Sequence, residues 1–288
     1  MFADRLIDAT RARGPLCVGI DPHPGRIPDL FGGDTPEGLE AWGRAVVAAT
    51  AGRAAVVKPQ VGLFERHGPG GMAALQAVCK AARDAGLVII MDAKRGDIGS
   101  TAEGYARAYL AGGAPFACDA LTVNPYMGID TLEPFVAAAE QAGKGVAVLA
   151  RTSNPGSADF QARDMGGAPL YRRVVDALGP LIDRLEGASG WSGLMLVAGA
   201  TGPGEAKALR AAAPKALFLV PGYGAQGAGA TEAVAGFMGG EGGVVNASRS
   251  VTFPAAASDA RDADAWAEAV SDAIEAAQAD LKAAAATT

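Results

Sequence analysis

Leu87-Val88-Ile89-Ile90-Met91-Asp92-Ala93-Lys94-Arg95-Gly96-Asp97-Ile98-Gly99-Ser100-Thr101 runs from an apolar strand directly into two carboxylates set around one lysine. An apolar run without polar alternation reads as a strand covered on both faces, the habit of parallel sheets. Polar groups at the carboxyl end of such a strand occupy the place where parallel α/β enzymes keep their chemistry. Alternation along the strand aims Asp92 and Lys94 into one pocket and leaves Asp97 beyond it.

Working outward, similar Val-, Leu-, Ile- and Ala-rich runs occur at 16–21, 54–60, 120–125, 145–152, 193–200, 216–222 and 243–249, with the run at 88–94 completing eight. Helix-compatible stretches fall between them at 39–51, 71–85, 100–111, 130–142, 170–185, 205–212 and 228–238, and a closing helix is expected at 263–283. Eightfold alternation without a compositional break predicts one α/β domain over 1–288, a (β/α)8 TIM barrel, with a doubly wound open sheet as the structural alternative. Residues 284–288 read as a frayed tail. The segment 156–167 lacks periodicity, and is either a lid or a passive surface insertion.

Composition narrows the class. Half the residues are apolar and the net charge is −6, which argues against a general nucleic-acid binder, so an anionic ligand has to be held by local cations. The apolar runs are far shorter than the roughly 20 residues needed to span a bilayer, and no membrane association is expected. The amino terminus carries Asp4 and Arg5 at once, without a signal-peptide apolar core, which predicts a cytoplasmic protein. Cys17, Cys79 and Cys118 are odd in number and set in apolar segments, the pattern of inert buried thiols. With only His23 and His67 as histidines, neither a histidine-rich metal site nor a Ser-His-Asp triad is expected.

Polar residues gather at the predicted strand ends: Asp21 after the first, Lys58 and Gln60 on the second, Asp92 and Lys94 on the third, Asn124 on the fourth, Thr152 and Ser153 on the fifth and Arg249 on the eighth. Asp21 precedes Pro22 and serves equally as a turn-former. Lys58, inside Val56-Val57-Lys58-Pro59-Gln60, needs a partner or an aqueous cavity. The Asp92/Lys94 pair gives little net stability relative to apolar replacements, which favours a functional reading. The glycine-rich run Pro221-Gly222-Tyr223-Gly224-Ala225-Gln226-Gly227 and the Asn246-Ala247-Ser248-Arg249 strand end lie where this fold binds phosphate, with Gln226 and Arg249 as donors.

With these segments in place, the sequence resembles the orotidine 5′-phosphate decarboxylase family, particularly its longer bacterial branch. The likeness is carried by Gly19-Ile20-Asp21-Pro22-His23-Pro24, Val57-Lys58-Pro59-Gln60, the Asp92-to-Thr101 run, Leu121-Thr122-Val123-Asn124-Pro125-Tyr126-Met127-Gly128, Arg151-Thr152-Ser153-Asn154-Pro155-Gly156 and the glycine-rich run after the seventh strand. The resemblance implies decarboxylation of orotidine 5′-monophosphate to uridine 5′-monophosphate without a metal or other cofactor. By position it implies Lys94 as proton donor, Asp92 facing the substrate carboxylate, Lys58 linking the charge array and Asp21 on a ribose hydroxyl. It further implies Ser153 at the pyrimidine, Gln226 and Arg249 at the phosphate, and a homodimer in which Asp97 and Thr101 cross into the neighbouring subunit's site. The alternatives are a magnesium-dependent sugar-phosphate aldolase or decarboxylase on a related barrel, a Schiff-base aldolase, and a non-catalytic nucleotide-binding protein.

Overall fold

Eight parallel strands close on themselves in sequence order: β1 (Leu16–Ile20), β2 (Val56–Pro59), β3 (Val88–Arg95), β4 (Ala120–Val123), β5 (Gly145–Arg151), β6 (Ser192–Ala198), β7 (Ala216–Pro221) and β8 (Gly243–Ala247). Closure is made by β1 against β8, with Leu16 opposite Val245 and Val18 opposite Ala247. This computed structural model describes residues 1–224 and 227–288. The open-sheet alternative is thereby removed.

Alternation sorts the strand residues between two cores. Cys17, Val56, Ile90, Ala120, Ala147, Met195, Leu217 and Val244 point inward and form one apolar cluster with Phe2, Leu6 and Ile7. That cluster plugs the amino-terminal end of the barrel. The helix Phe2–Arg13 lies across that opening, and the Phe2 ring comes so near Gly145 that a Cβ there would stand 2.4 Å from it. The residues of opposite parity pack under the surrounding helices, among them Val18, Val57, Ile89, Leu121 and Val148.

Two of the longer helices start on a side-chain cap. Thr35 accepts the Gly38 N–H at 3.0 Å ahead of Pro36–Thr50, and Asp262 accepts the Ala265 N–H at 2.9 Å ahead of Ala263–Ala285. The last helix continues two residues beyond 283, and Ala285 is buried, so the ordered helix includes the first part of the expected tail. The stretch 170–185 divides into Leu170–Ala177 and Gly179–Arg184, because Pro180 has no N–H to continue the ladder. Only Ala230–Ala233 is helical within 228–238: the chain passes against the Phe218 ring at Gly236, where a Cβ would lie 2.6 Å from it. Arg249 starts a short helix, Arg249–Thr252, after β8 has ended at Ala247. No helix among the described residues is long and apolar enough to cross a membrane.

Candidate active site

Above the apolar plug the inward positions turn polar. Lys58 on β2, Asp92 on β3, Thr122 on β4 and Asn246 on β8 line a cavity of about 410 Å³ at the carboxyl ends of the strands, with Asp21, Gln60, Lys94 and Ser153 around its mouth. Leu149, Val197, Leu219 and Pro221 supply an apolar wall on the β5–β7 side. A flat, partly apolar ring bearing polar edges fits such a pocket.

The charges form an alternating chain. Lys58 Nζ donates to Asp92 Oδ2 at 2.7 Å and stands 3.9 Å from Asp21 Oδ1, while Lys94 Nζ donates to Asp92 Oδ1 at 2.5 Å. Gln60 Nε2 adds a 2.9 Å bond to Asp92 Oδ2. Lys58 is 4% exposed and Asp92 7%, so both ions have lost most of their water and depend on one another. Burial alone would pull the Lys58 pKa down, but the nearby carboxylates of Asp92 and Asp21 outweigh it and hold the ammonium charged. Burial likewise opposes ionisation of Asp92, and Lys58 and Lys94 overcome it, keeping its carboxyl well below the usual carboxylate range.

Two buried acceptors in this chamber, Asp21 Oδ1 and Asn246 Oδ1, have no hydrogen-bond partner among the described residues. Such atoms call for donors, and a ligand rich in hydroxyls or N–H groups supplies them. Across the mouth, the loop after β5 is tied down. Thr152 N donates to Gln161 Oε1 at 2.8 Å, Gln161 Nε2 returns a 2.8 Å bond to Thr152 Oγ1, and Arg151 joins Glu205 at 2.9 Å and Ser157. The segment 156–167 therefore carries a helical turn, Ser157–Phe160, that braces the Ser153 wall.

Of the residues expected from sequence, Asp21, Lys58, Asp92, Lys94 and Ser153 meet in the cavity. Asp97, Thr101 and Arg249 do not line it. Asp97 is half-buried and accepts the Ile98 N–H at 2.8 Å, Thr101 is exposed on the helix Gly99–Tyr109, and Arg249 is exposed with no carboxylate partner among the described residues. Gln226 lies outside the described residues. Thr122 and Asn246 are inward-facing residues to which the sequence reading gave no role of their own; a threonine or asparagine in an apolar strand acquires a direction only once the barrel's parity is known. Among the described residues no group of three or more His, Cys, Asp or Glu side chains is disposed to hold a metal ion.

The geometry agrees with comparison to known proteins. Residues 14–265 match the model of the orotidine 5′-phosphate decarboxylase / HUMPS family. Orotidine 5′-phosphate decarboxylase of Salinispora arenicola is 45% identical over 232 residues, covering 80% of this chain and 82% of that protein. The Rhodopirellula baltica protein of the same name is 39% identical over 266 residues, covering 88% of each. The solved structure of Leishmania donovani OMP decarboxylase superposes with a TM-score of 0.75 at 32% identity, covering 96% of this chain and 98% of that one. Sequence match, barrel and charged mouth converge, and the chain belongs to the orotidine 5′-phosphate decarboxylase / HUMPS family.

Proposed function

We propose that this chain decarboxylates orotidine 5′-monophosphate to uridine 5′-monophosphate and CO2, the step that completes de novo pyrimidine nucleotide synthesis, as a cytoplasmic enzyme needing no cofactor. The observation that carries this reading is the Lys58–Asp92–Lys94 charge chain at the barrel mouth, in which Lys58 and Asp92 are buried. Breaking the bond between C6 and the carboxylate leaves an electron pair in an sp² orbital that the pyrimidine cannot delocalise. Fixed charge has to stabilise it. The Lys94 ammonium attracts the developing charge and then transfers its proton to C6, while CO2 departs and solvent returns a proton to the lysine. Asp92, held ionised, faces the departing carboxylate and disfavours the charged ground state relative to the neutral products.

The remaining roles are those that the family resemblance implies. Asp21, whose Oδ1 has no hydrogen-bond partner among the described residues, accepts from a ribose hydroxyl, Ser153 addresses the pyrimidine, and Arg249 with Gln226 holds the phosphate. Binding energy gathered at the phosphate presses the ring against the charges. Asp97 and Thr101, which do not line their own cavity, serve the neighbouring site in a two-fold dimer. Exposed Ile98, Tyr126 and Met127 beside them support an interface there, with Met127 Cε 3.6 Å from where a Cβ would stand on Gly96.

The test is an absorbance assay with orotidine 5′-monophosphate. Loss of orotate absorbance with equimolar uridine 5′-monophosphate and CO2 is the expected result. A folded sample without turnover would overturn the assignment.

A further inference from the structure

Between β3 and β4 the ladder is irregular: Met91 lies opposite Leu121 and Arg95 opposite Val123. Three residues of β3, Asp92, Ala93 and Lys94, therefore face the single residue Thr122. A parallel ladder cannot satisfy the N–H groups of such a bulge with backbone carbonyls alone. Thr122 Oγ1 takes two of them, accepting from Ala93 N at 2.9 Å and from Lys94 N at 2.8 Å. Both lone pairs of the hydroxyl are thus used, and its proton goes to Asp92 Oδ1 at 3.2 Å or to Met91 O at 3.3 Å. Lys94 has φ +49°, the only positive φ outside glycine among the described residues. A lysine gains nothing intrinsically from the left-handed region, so something in the surroundings holds it there. At 1% exposure, with its hydroxyl on the amide of this same residue, Thr122 is placed to do so.

We propose that Thr122 is a positioning residue for the decarboxylation: its hydroxyl fixes the β3 bulge, and the bulge turns the Lys94 ammonium onto Asp92 and into the cavity. This deepens the reading of the site given above. Arg95, one residue later, faces the other way, as strand alternation requires, and pairs with Glu65 and the Tyr109 hydroxyl.

Thr122→Val keeps the shape and removes the hydroxyl, whereas Thr122→Ser keeps the hydroxyl. The valine variant is expected to lose about 10²-fold in kcat, the scale of a displacement of order 1 Å in a reacting group. Its KM should stay within about threefold of wild type, and the serine variant should recover kcat to within about fivefold. A valine variant with wild-type kcat, or equal losses in valine and serine variants, would overturn the proposal. If the valine protein does not fold, Thr122→Cys, whose thiol is a poor acceptor, takes its place with the same expectation. A crystal structure of the variant separates this inference from the reaction itself. Lys94 should leave the left-handed region or lose its contact with Asp92, and retention of both overturns the role of Thr122 even if the wild-type protein decarboxylates nothing.

Discussion

Lys94 Nζ has Asp92 Oδ1 as its partner and the cavity in front of it. Truncation removes the proton source while Lys58 still neutralises Asp92, so the fold should persist as the chemistry fails. Lys94→Ala is expected to lower kcat at least about 10³-fold with an unchanged circular dichroism spectrum, and dialysis of the wild type against a chelator should leave its rate intact. A rate lost to the chelator and restored by magnesium would transfer the assignment to a metal-dependent barrel enzyme. Asp92 gives a pH signature. Its folded pKa lies below the unfolded value of about 3.9, so its contribution to stability is present above that value and disappears as pH falls through the folded one. The stability gap between wild type and Asp92→Asn, followed by denaturant unfolding, should be constant from about pH 8 to 5 and narrow only below about 4. These charges were legible in the sequence because lysine and aspartate inside apolar strands demand an explanation. Thr122 and Asn246 raised no such demand. Strand alternation pairs Asp92 with Lys94 in the cavity, and the bulge and the left-handed lysine at this point carried no signal in the sequence.

At the scale of elements, the helix Pro203–Ala212 is locked to the barrel by one buried cation. Arg210 donates to the carbonyls of Gly236 at 2.7 Å, Pro214 at 3.1 Å, Ala216 at 2.5 Å and Gly242 at 2.9 Å, and its guanidinium stacks 4.0 Å from the Phe218 ring centroid. Burial lowers its pKa to about 10, which leaves it charged at neutral pH with carbonyl dipoles in place of a carboxylate. Arg210→Met should cost about 3–5 kcal/mol in denaturant unfolding by orphaning these carbonyls, and Arg210→Lys should recover only part of it, with kcat unchanged in both. This clamp was not foreseen, because its partners are backbone carbonyls, and two of them, Gly236 and Gly242, belong to segments remote in sequence. Strands were easier to read than helices: doubly covered strands are continuous apolar runs, whereas the breaks at Pro180 and Gly236 depend on a missing donor and on a ring from β7.

For the whole molecule, the position of Asp97 outside its own cavity motivates a test of shared sites. Lys94→Ala and Asp97→Ala homodimers should each be almost inactive, while random exchange of equal amounts should restore about a quarter of wild-type activity, one intact site in each mixed dimer. Mixed dimers confirmed by mass spectrometry but still inactive would return Asp97 to its own subunit. The amino-terminal helix has a different bearing on turnover. With Phe2 pressed onto Gly145 and Leu6 and Ile7 sealing the base, the barrel is, among the described residues, a vessel closed at its amino-terminal end and open at its mouth. Incoming nucleotide, outgoing nucleotide and gas all share that doorway, and no substrate can queue behind a departing product. Uridine 5′-monophosphate should accordingly inhibit in strict competition with orotidine 5′-monophosphate, raising apparent KM at constant kcat, and a mixed pattern in initial-rate plots would indicate a second way in.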